Sequence, residues 1–339
     1  MQPILHYSRS IRYRISILLL TGILLVPVFC AAVALGPVRV PFAETLKTLF
    51  GFPTDPRFTT IIWNIRLPQT LAAVLAGAGL GISGAVMQSV LRNPLCSPFT
   101  LGISNAAAFG AALALFFGGA ASGKESTALS AFLFAMLTTL FVLAAGRIKG
   151  TQSETLILLG AAFASLFSAG MMFLQYLSDD VRLAAIVYWM FGDTSRAAYP
   201  QLLLIALSVV PVSVYFLFHC WNYNALMLGD ETAKGLGVPI QRLRVLTMLL
   251  TSLLTAVLVS LLGIIGFVGL VVPHIARLLV GSDYRFLLPF SLLFGGLLLL
   301  VADTAARLCF APRTLPVAVL TAFVGVPVFL LLLFKNRQG

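Results

Sequence analysis

Ten long stretches of this sequence are almost free of charged side chains, and this pattern predicts a chain that spans a membrane. A transmembrane helix needs about 20 predominantly apolar residues. The stretches cover residues 15–35, 68–90, 99–118, 128–146, 154–177, 200–220, 243–262, 266–281, 286–305 and 316–334. The eighth is short and contains Gly266 and Gly269, so a tilted or half-buried segment is also consistent with it. We therefore predict an all-α polytopic helical bundle of about ten transmembrane helices, folded as one domain over residues 1–339.

The amino-acid composition supports the same prediction and excludes a soluble domain. Of the 339 residues, 60% are hydrophobic and only 10% are charged, whereas soluble domains carry about 25% charged residues. The net charge of +11 is divided among short basic clusters between the apolar stretches. A nucleic-acid-binding protein would carry its basic residues on one folded face. We therefore expect membrane lipid, and no nucleic acid, to contact this chain.

The basic residues also predict the orientation of the chain. With the N-terminus inside, the cytoplasmic segments hold 13 of the 22 Lys and Arg residues and 4 of the 11 acidic residues. Because cytoplasmic loops carry an excess of Lys and Arg, both termini are predicted to be cytoplasmic. Arg9, Arg12 and Arg14 precede an apolar run longer than the roughly 7–15 residues of a cleaved signal peptide core. We interpret the run as the uncleaved first helix of a multi-pass protein of the bacterial inner membrane.

The sequence contains no constellation typical of catalysis, metal binding or cofactor binding. The four cysteines lie far apart, as do the three histidines, and neither set has metal-ligand spacing. The segment GGAASGK at residues 118–124 resembles a phosphate-binding loop, but Glu125 replaces the Ser or Thr that would reach magnesium. We expect no cofactor and no enzymatic activity in this chain, so any ATP hydrolysis would occur in a partner subunit.

The segment of residues 226–239 is too polar to span a membrane. Its sequence, LMLGDETAKGLGVP, places Asp230 and Glu231 directly after a glycine. Acidic side chains at that position stabilise the first turn of a helix through its dipole. A short helix on the cytoplasmic face would suit the docking of another protein, and an ordinary loop is the alternative that the pattern leaves open.

Small residues recur along two predicted helices and indicate close helix packing. The two sets are Gly77, Gly81, Gly84 and Ala85, and Gly102, Ala106 and Gly110.

Two features of the outer side have more than one interpretation. The loop of residues 178–199 carries Tyr188, Trp189 and Met190, which predict either anchors at the membrane interface or a short gating helix that re-enters the membrane. Near the outer end of the ninth stretch, Asp303 and Arg307 have the spacing of neighbours on one helix face. They predict either a local ion pair or an arginine available to a partner protein.

Three stretches carry a resemblance to a known family. They are IRLPQTLAAVLAGAGLGISGAVMQSVLRNPLCSPFTLGIS (residues 65–104), LGDETAKGLGVP (residues 228–239) and GFVGLVVPHIARLLVG (residues 266–281). LLLLVADTAAR and LPVAVLTAFVGVPVF follow the third. The chain resembles the permease subunit of the FecCD and BtuC type of ATP-binding-cassette importers, which take up iron–siderophores, haem and cobalamin.

This resemblance implies the partners of the chain. Such permeases pair with a second copy or a related subunit, bind two cytoplasmic ATPase subunits and receive substrate from a periplasmic binding protein. The ATPase contact is implied for eight residues of the coupling segment: Gly229, Asp230, Glu231, Thr232, Ala233, Leu236, Gly237 and Val238.

The resemblance also implies docking and gate residues on the outer side. Binding-protein docking maps to Arg66 and Arg307, and the gate region maps to Tyr188, Trp189, Met190 and Gly192. The chain departs from the family pattern at Gln69, where Arg is frequent, and at Thr314, where Glu is frequent. Arg313 beside the second departure is either a further docking candidate or an ordinary solvated loop arginine.

These observations predict an ATP-driven importer permease that carries an iron chelate, with a ferric siderophore first and haem, cobalamin or a molybdate-type oxyanion as alternatives. The rival prediction is an ion-coupled secondary transporter or channel that works alone. It would need buried ionisable residues or a charged pore ring, and neither is evident in the sequence.

Overall fold

The computed structural model describes residues 2–118, 123–148, 153–309, 311 and 313–335. The described helices are, in chain order, α1 (Gln2–Ala34), α2 (Phe42–Leu49), α3 (Pro56–Thr60), α4 (Leu67–Val90), α5 (Ile103–Gly118), α6 (Lys124–Ile148), α7 (Ser153–Leu177), α8 (Asp180–Met190), α9 (Tyr199–Phe218), α10 (Cys220–Met227), α11 (Asp230–Gly235), α12 (Ile240–Leu262), α13 (Val268–Val280), α14 (Tyr284–Leu308) and α15 (Val317–Lys335). The prediction of an all-α membrane bundle is confirmed. Residues 119–122, which form most of the GGAASGK segment, lie outside the described residues.

Every predicted membrane segment coincides with an apolar helix. Within the described residues, seven helical stretches are long and apolar enough to cross a membrane, and α5, α13 and α15 are shorter apolar helices. Helix α13 has only 13 residues, which corresponds to about 20 Å and is shorter than the hydrocarbon core of a bilayer. Ten complete crossings therefore stay a prediction.

One predicted helix start was wrong. The apolar stretch begins at residue 99, but Pro98–Leu101 forms a single 3₁₀ turn and α5 begins at Ile103. Gly102 separates the two with φ at 76°. A left-handed backbone cannot continue a right-handed helix. The helix is therefore interrupted at Gly102, although the apolar pattern of the sequence continues through it.

Helix α4 forms the centre of the bundle. The most apolar part of the Pro56–Val90 span is 83% buried, and α4 contacts α9, α12, α13 and α14. A Cβ atom added to Gly77 would overlap the carbonyl oxygen of Gly295, and one added to Gly84 would overlap that of Gly269. The backbones of α14 and α13 therefore pack directly against α4 and leave no space for a side chain. This confirms the predicted small-residue face.

The second small-residue set is divided between two neighbours. A Cβ atom on Gly102 would lie 2.8 Å from the carbonyl oxygen of Gly160 in α7, and one on Gly110 would lie 2.7 Å from that of Ser130 in α6. Helix α5 is thus held closely between α6 and α7. By contrast, only 17% of the most apolar part of α7 is buried within the chain, so most of its surface is open to lipid or to another subunit.

Candidate coupling, gate and docking sites

The predicted helix in the coupling segment is present as α11. Gly229 precedes it with φ at 115°, and Gly237 follows it with φ at 82°. Residues that carry a side chain rarely adopt these φ angles, whereas glycine adopts them at little cost. The two glycines turn the chain sharply on both sides of α11, so the short helix stands as a separate projection between α10 and α12. We call the end of the bundle that carries α11 the cytoplasmic end, following the charge distribution.

Asp230 ties this projection to the bundle. Its Oδ1 atom lies 2.7 Å from Nη2 of Arg92, and its Oδ2 atom lies 3.4 Å from Nη2 of Arg244. Arg244 is buried in α12 and also donates from Nε to the carbonyl oxygen of Val90 at 3.2 Å. Asp230 therefore connects α11 to the end of α4 and to α12, and its carboxylate is engaged within the chain.

The other predicted coupling residues fall into two groups. Ala233 and Val238 are buried and hold α11 against its neighbours. Glu231, Thr232 and Leu236 are exposed, and the Leu236 side chain has 64% of its surface accessible. The exposed group forms the surface that a partner can reach.

A cavity lies between α11 and the beginning of α12. Lys234 and Arg242 are exposed at its edge, and Val238 and Pro239 give it an apolar wall. This combination suits an acidic partner segment that also carries an apolar side chain.

Asp283 anchors the base from which α10 and α11 extend. It lies at the N-terminus of α14, where it accepts hydrogen bonds from Nδ2 of Asn224 at 2.9 Å and from Nη2 of Arg285 at 2.6 Å. Arg14 of α1 approaches the same carboxylate at 3.9 Å. One side chain thus connects α1, α10 and α14.

Replacing Asp283 with asparagine is expected to destabilise this junction. Burial raises the pKa of the Asp283 carboxyl, but hydrogen bonds from Arg285 and Asn224 outweigh it and bring the pKa down to about 2. The folded pKa lies below the unfolded value, and the difference stabilises the folded state by about 2 kcal/mol at neutral pH. This stabilisation is present above the unfolded pKa and is lost as the pH falls toward the folded pKa. Thermal unfolding in detergent checks this: D283N should melt earlier than wild type at neutral pH, with the difference shrinking on acidification. The exposed Asp180→Asn is the control, and equal melting of D283N and D180N would contradict the prediction.

The predicted gate region forms α8 and the turn after it. Tyr188 is 70% exposed, Trp189 and Met190 are partly buried, and Gly192 is buried. A short helix is therefore present in this loop, while both interpretations, interface anchoring and gating, stay predictions. A Cβ atom on Gly192 would overlap the carbonyl oxygen of Ile264, so only glycine fits here.

Several contacts fix the end of α8. Arg196 donates to the carbonyl oxygens of Tyr188, Trp189 and Phe191 at 2.6–3.0 Å, which satisfies groups that a helix C-terminus leaves unpaired. Phe191 forms a parallel bridge with Ile264. The end of α8 is therefore held to the segment between α12 and α13.

The docking arginines differ in accessibility. Arg66 is 3% exposed and donates to the carbonyl oxygens of Val33, Ala34 and Val38. Arg307 is 4% exposed, and its Nε atom lies 3.0 Å from Oδ2 of Asp303. A partner carboxylate cannot reach either guanidinium in this arrangement, because both side chains are almost completely buried.

The local ion pair predicted for Asp303 and Arg307 is confirmed. Arg313, in contrast, is exposed. Of the three docking candidates, it is the one whose side chain is open to the outer solution.

Four residues of these sites could not be identified from the sequence as site residues: Arg92, Arg244, Thr194 and Arg196. The first two counted only as cytoplasmic charges. Their common partner Asp230 lies in a different segment of the chain, and no local spacing joins the three.

The described residues contain no group of three His, Cys, Asp or Glu side chains able to hold a metal ion. The functional arrangement consists instead of a projecting helix at one end, a pinned short helix at the other and a closely packed bundle between them.

This arrangement has solved and curated relatives. The haemin transport system permease protein HmuU of Yersinia pestis is 35% identical over 324 residues, covering 94% of this chain and 96% of the relative. The vitamin B12 import system permease protein BtuC of Citrobacter koseri is 40% identical over 277 residues, covering 82% and 84%. A solved inward-facing metal-chelate-type ABC transporter superposes with a TM-score of 0.84 at 34% identity, covering 94% of this chain and 99% of that one.

Residues 23–335 match the FecCD transport family as a whole. The match includes the coupling segment, the gate region and all three docking candidates. With the helical fold and the relatives above, it confirms the resemblance carried by the three sequence stretches, and the chain is a membrane permease that belongs to the FecCD transport family.

Proposed function

We propose that this chain is the membrane-spanning permease of an ATP-binding-cassette importer in the bacterial inner membrane. The observation that carries the proposal is α11, a short helix that projects from the cytoplasmic end with Glu231, Thr232 and Leu236 exposed. Its anchor, Asp230, reaches both α4 and α12 through Arg92 and Arg244. A partner that binds the exposed surface would therefore act on two membrane helices at once.

The partners that we propose are two cytoplasmic ATPase subunits, a second copy of the permease and a periplasmic binding protein. Each ATPase would contact one α11 and the basic edge formed by Lys234 and Arg242. The second permease copy would cover apolar surface that α7 leaves exposed within one chain. The binding protein would meet the outer end through Arg313, while Arg66 and Arg307 hold the helix ends beneath it.

The cargo that we propose is a metal chelate, and a ferric siderophore in particular. The relatives described above are named for haemin, vitamin B12 and metal chelates, and the permease protein MolB of Haemophilus influenzae, 35% identical over 330 residues, is named for molybdate. Haem, cobalamin and a molybdate-type oxyanion are the alternatives for this chain. The proposal gives the permease no tight ligand site, because a transported molecule has to be released on the inner side.

In the proposed cycle, ATP binding and hydrolysis in the partner subunits move α11, and the bundle alternates between outward- and inward-open packings. The chain performs no bond chemistry. It contributes different stabilities of the two packings, and the partners shift the balance between them, since coupling is a difference in free energy between states.

The function is tested by purifying the tagged chain from its native membrane and identifying what it retains. Recovery of an ATPase subunit, together with ATP-dependent uptake of a ferric siderophore in proteoliposomes containing the complex and binding protein, supports the proposal. A chain that retains no ATPase, yet accumulates substrate alone under an ion gradient, would be a secondary transporter instead.

Glu231→Lys is expected to weaken ATPase binding by about tenfold or more, because it reverses a charge on the exposed face of α11. The Asp230 ion pairs should stay intact, since Asp230 makes them with Arg92 and Arg244 and Glu231 is not part of them. Quantitative co-purification and uptake measure the effect.

Glu125→Lys is the matched control. Glu125 is also an exposed glutamate in the first turn of a helix, so the cost of a positive charge at a helix N-terminus is the same for both variants. Equal ATPase recovery with E231K and E125K would rule out α11 as the contact.

A further inference from the structure

A buried polar network at the outer end of the bundle joins the gate to the helical core. Its centre is the carboxylate of Asp303, which is 2% exposed. Oδ1 accepts hydrogen bonds from Thr194 and from Nε2 of Gln69, the latter at 3.0 Å. Oδ2 lies 3.0 Å from Nε of Arg307. Three separate parts of the chain therefore meet at one side chain.

Thr194 is the gate-side member of this network. It is fully buried and lies two residues after Gly192, in the turn that follows α8. Its hydroxyl group donates to Asp303 of α14, while the backbone N–H of Asp193 donates to the carbonyl oxygen of Leu262 at 2.8 Å. Helix α8 and the turn after it also contact α4, α5, α7, α12 and α15. The hydroxyl group of Thr194 adds a hydrogen bond from this turn to α14.

The remaining members secure Asp303 itself. Arg307 donates to the carbonyl oxygen of Leu35 at 3.2 Å, just beyond the end of α1, and Gln69 belongs to the closely packed helix α4. A carboxylate held by a hydrogen bond from α4 and an ion pair within α14 has little freedom to move. Because Asp303 is held in place on the α4–α14 pair, its hydrogen bond with Thr194 also holds the turn that carries Thr194.

We propose that Asp303 is a positioning residue for the gate: it holds Thr194 and thereby fixes the C-terminal end of α8 to the α4–α14 core. The pivot of the gate is then the short segment Phe191–Asp193, and the exposed N-terminal part of α8 is the part that moves. This role depends on the proposed transport function, but the position of α8 can be measured without transport.

The decisive variant is Thr194→Val, which preserves the shape of the side chain and removes its hydroxyl group. Asp303 keeps Gln69 and Arg307, so the ion pair and the helix contacts remain. Loss of one hydrogen bond to a charged group is expected to shift the balance of gate positions by about tenfold. The conservative Thr194→Ser retains the donor and should behave as wild type.

Thr70→Val is the matched control. Thr70 is also fully buried at the outer end of the bundle, but its hydroxyl group donates only to the carbonyl oxygen of Arg66 in its own helix region, at 2.6 Å. The two variants make the same chemical change at the same burial and differ in whether they free the gate.

Trp189 provides the reporter, because it lies in α8 and the chain has only two other tryptophans. In the full-length chain with Trp63→Phe and Trp221→Phe, acrylamide quenching of Trp189 fluorescence measures the exposure of the gate helix. For the same Thr70 and Thr194 variants, assembled with the ATPase, ATP hydrolysis and chelate uptake are measured together. Their ratio is the number of ATP molecules hydrolysed per chelate imported.

We expect T194V to increase Trp189 quenching and to raise ATP consumption per imported chelate, with thermal melting equal to that of T70V. T194S and T70V should match wild type in both measurements. If T194V does not fold, T194A takes its place, since it also removes the hydroxyl group and adds no bulk. Unchanged Trp189 quenching in a folded T194V, or an equal change in T70V, would overturn the proposal. Should the wild-type complex fail to transport, the proposed function fails, while the quenching comparison still decides the role of Asp303.

Discussion

Gly84→Ala is expected to abolish the native packing of α4 against α13. Alanine normally stabilises a helix by up to about 1 kcal/mol relative to glycine. Here the added Cβ atom would overlap the backbone carbonyl of Gly269, and a backbone cannot rotate away as a side chain can. Overpacking a close contact costs about 1–3 kcal/mol and sometimes more, and we expect at least the upper value. The clash therefore outweighs the gain in helix propensity.

Gly22→Ala separates these two effects. Gly22 also lies within a membrane helix, but a Cβ atom there would meet only Cδ1 of Leu293 at 3.9 Å, an ordinary contact. We expect G22A to fold with wild-type or slightly higher stability, and G84A to give little monodisperse protein in detergent and a strongly lowered melting temperature. Similar melting temperatures for the two variants would show that α4 and α13 do not pack backbone against backbone at Gly84 and Gly269.

Arg307→Met is expected to cost about 3–5 kcal/mol of stability, because it leaves the buried carboxylate of Asp303 without its ionic partner. The methionine retains most of the volume, so the loss comes from the charge and not from a cavity. The carbonyl oxygen of Leu35 also loses a donor. Thermal unfolding of the purified chain measures the effect.

The double variant D303N/R307M tests the cause. Asparagine removes the buried charge but keeps an oxygen that can accept from Thr194 and Gln69. Replacing both members of a buried pair is much less costly than removing one, so the double variant should recover most of the lost stability. If it is no more stable than R307M alone, the ion pair does not account for the loss.

The parts of the sites that depend on neighbouring residues were predictable from the sequence. Asp303 and Arg307 lie about one helical turn apart, and this spacing alone predicts their contact. Helix α11 follows from glycines on both sides of an acidic first turn. The small-residue face of α4 follows from the helical repeat of Gly77, Gly81 and Gly84, although its partners in α13 and α14 did not.

The parts that depend on distant segments were not predictable. Asp230 contacts Arg92 and Arg244 because three chain segments converge at the cytoplasmic end, and no pattern within one segment indicates that convergence. The burial of Arg66 has the same origin. Its side chain satisfies carbonyl groups at the C-terminal end of α1, whereas the sequence resemblance alone suggested an arginine free to bind a partner.

Helix α12 extends from the coupling end of the molecule to the gate. Arg244 near its beginning pairs with Asp230, and the carbonyl oxygen of Leu262 at its end accepts from the backbone of Asp193. Its 23 residues include neither proline nor glycine, so it lacks two of the usual causes of a sharp kink, and it is about 35 Å long. In the proposed cycle, a movement of α12 at its coupling end also moves its end at the gate. ATPase engagement and gate movement would therefore occur in the same step.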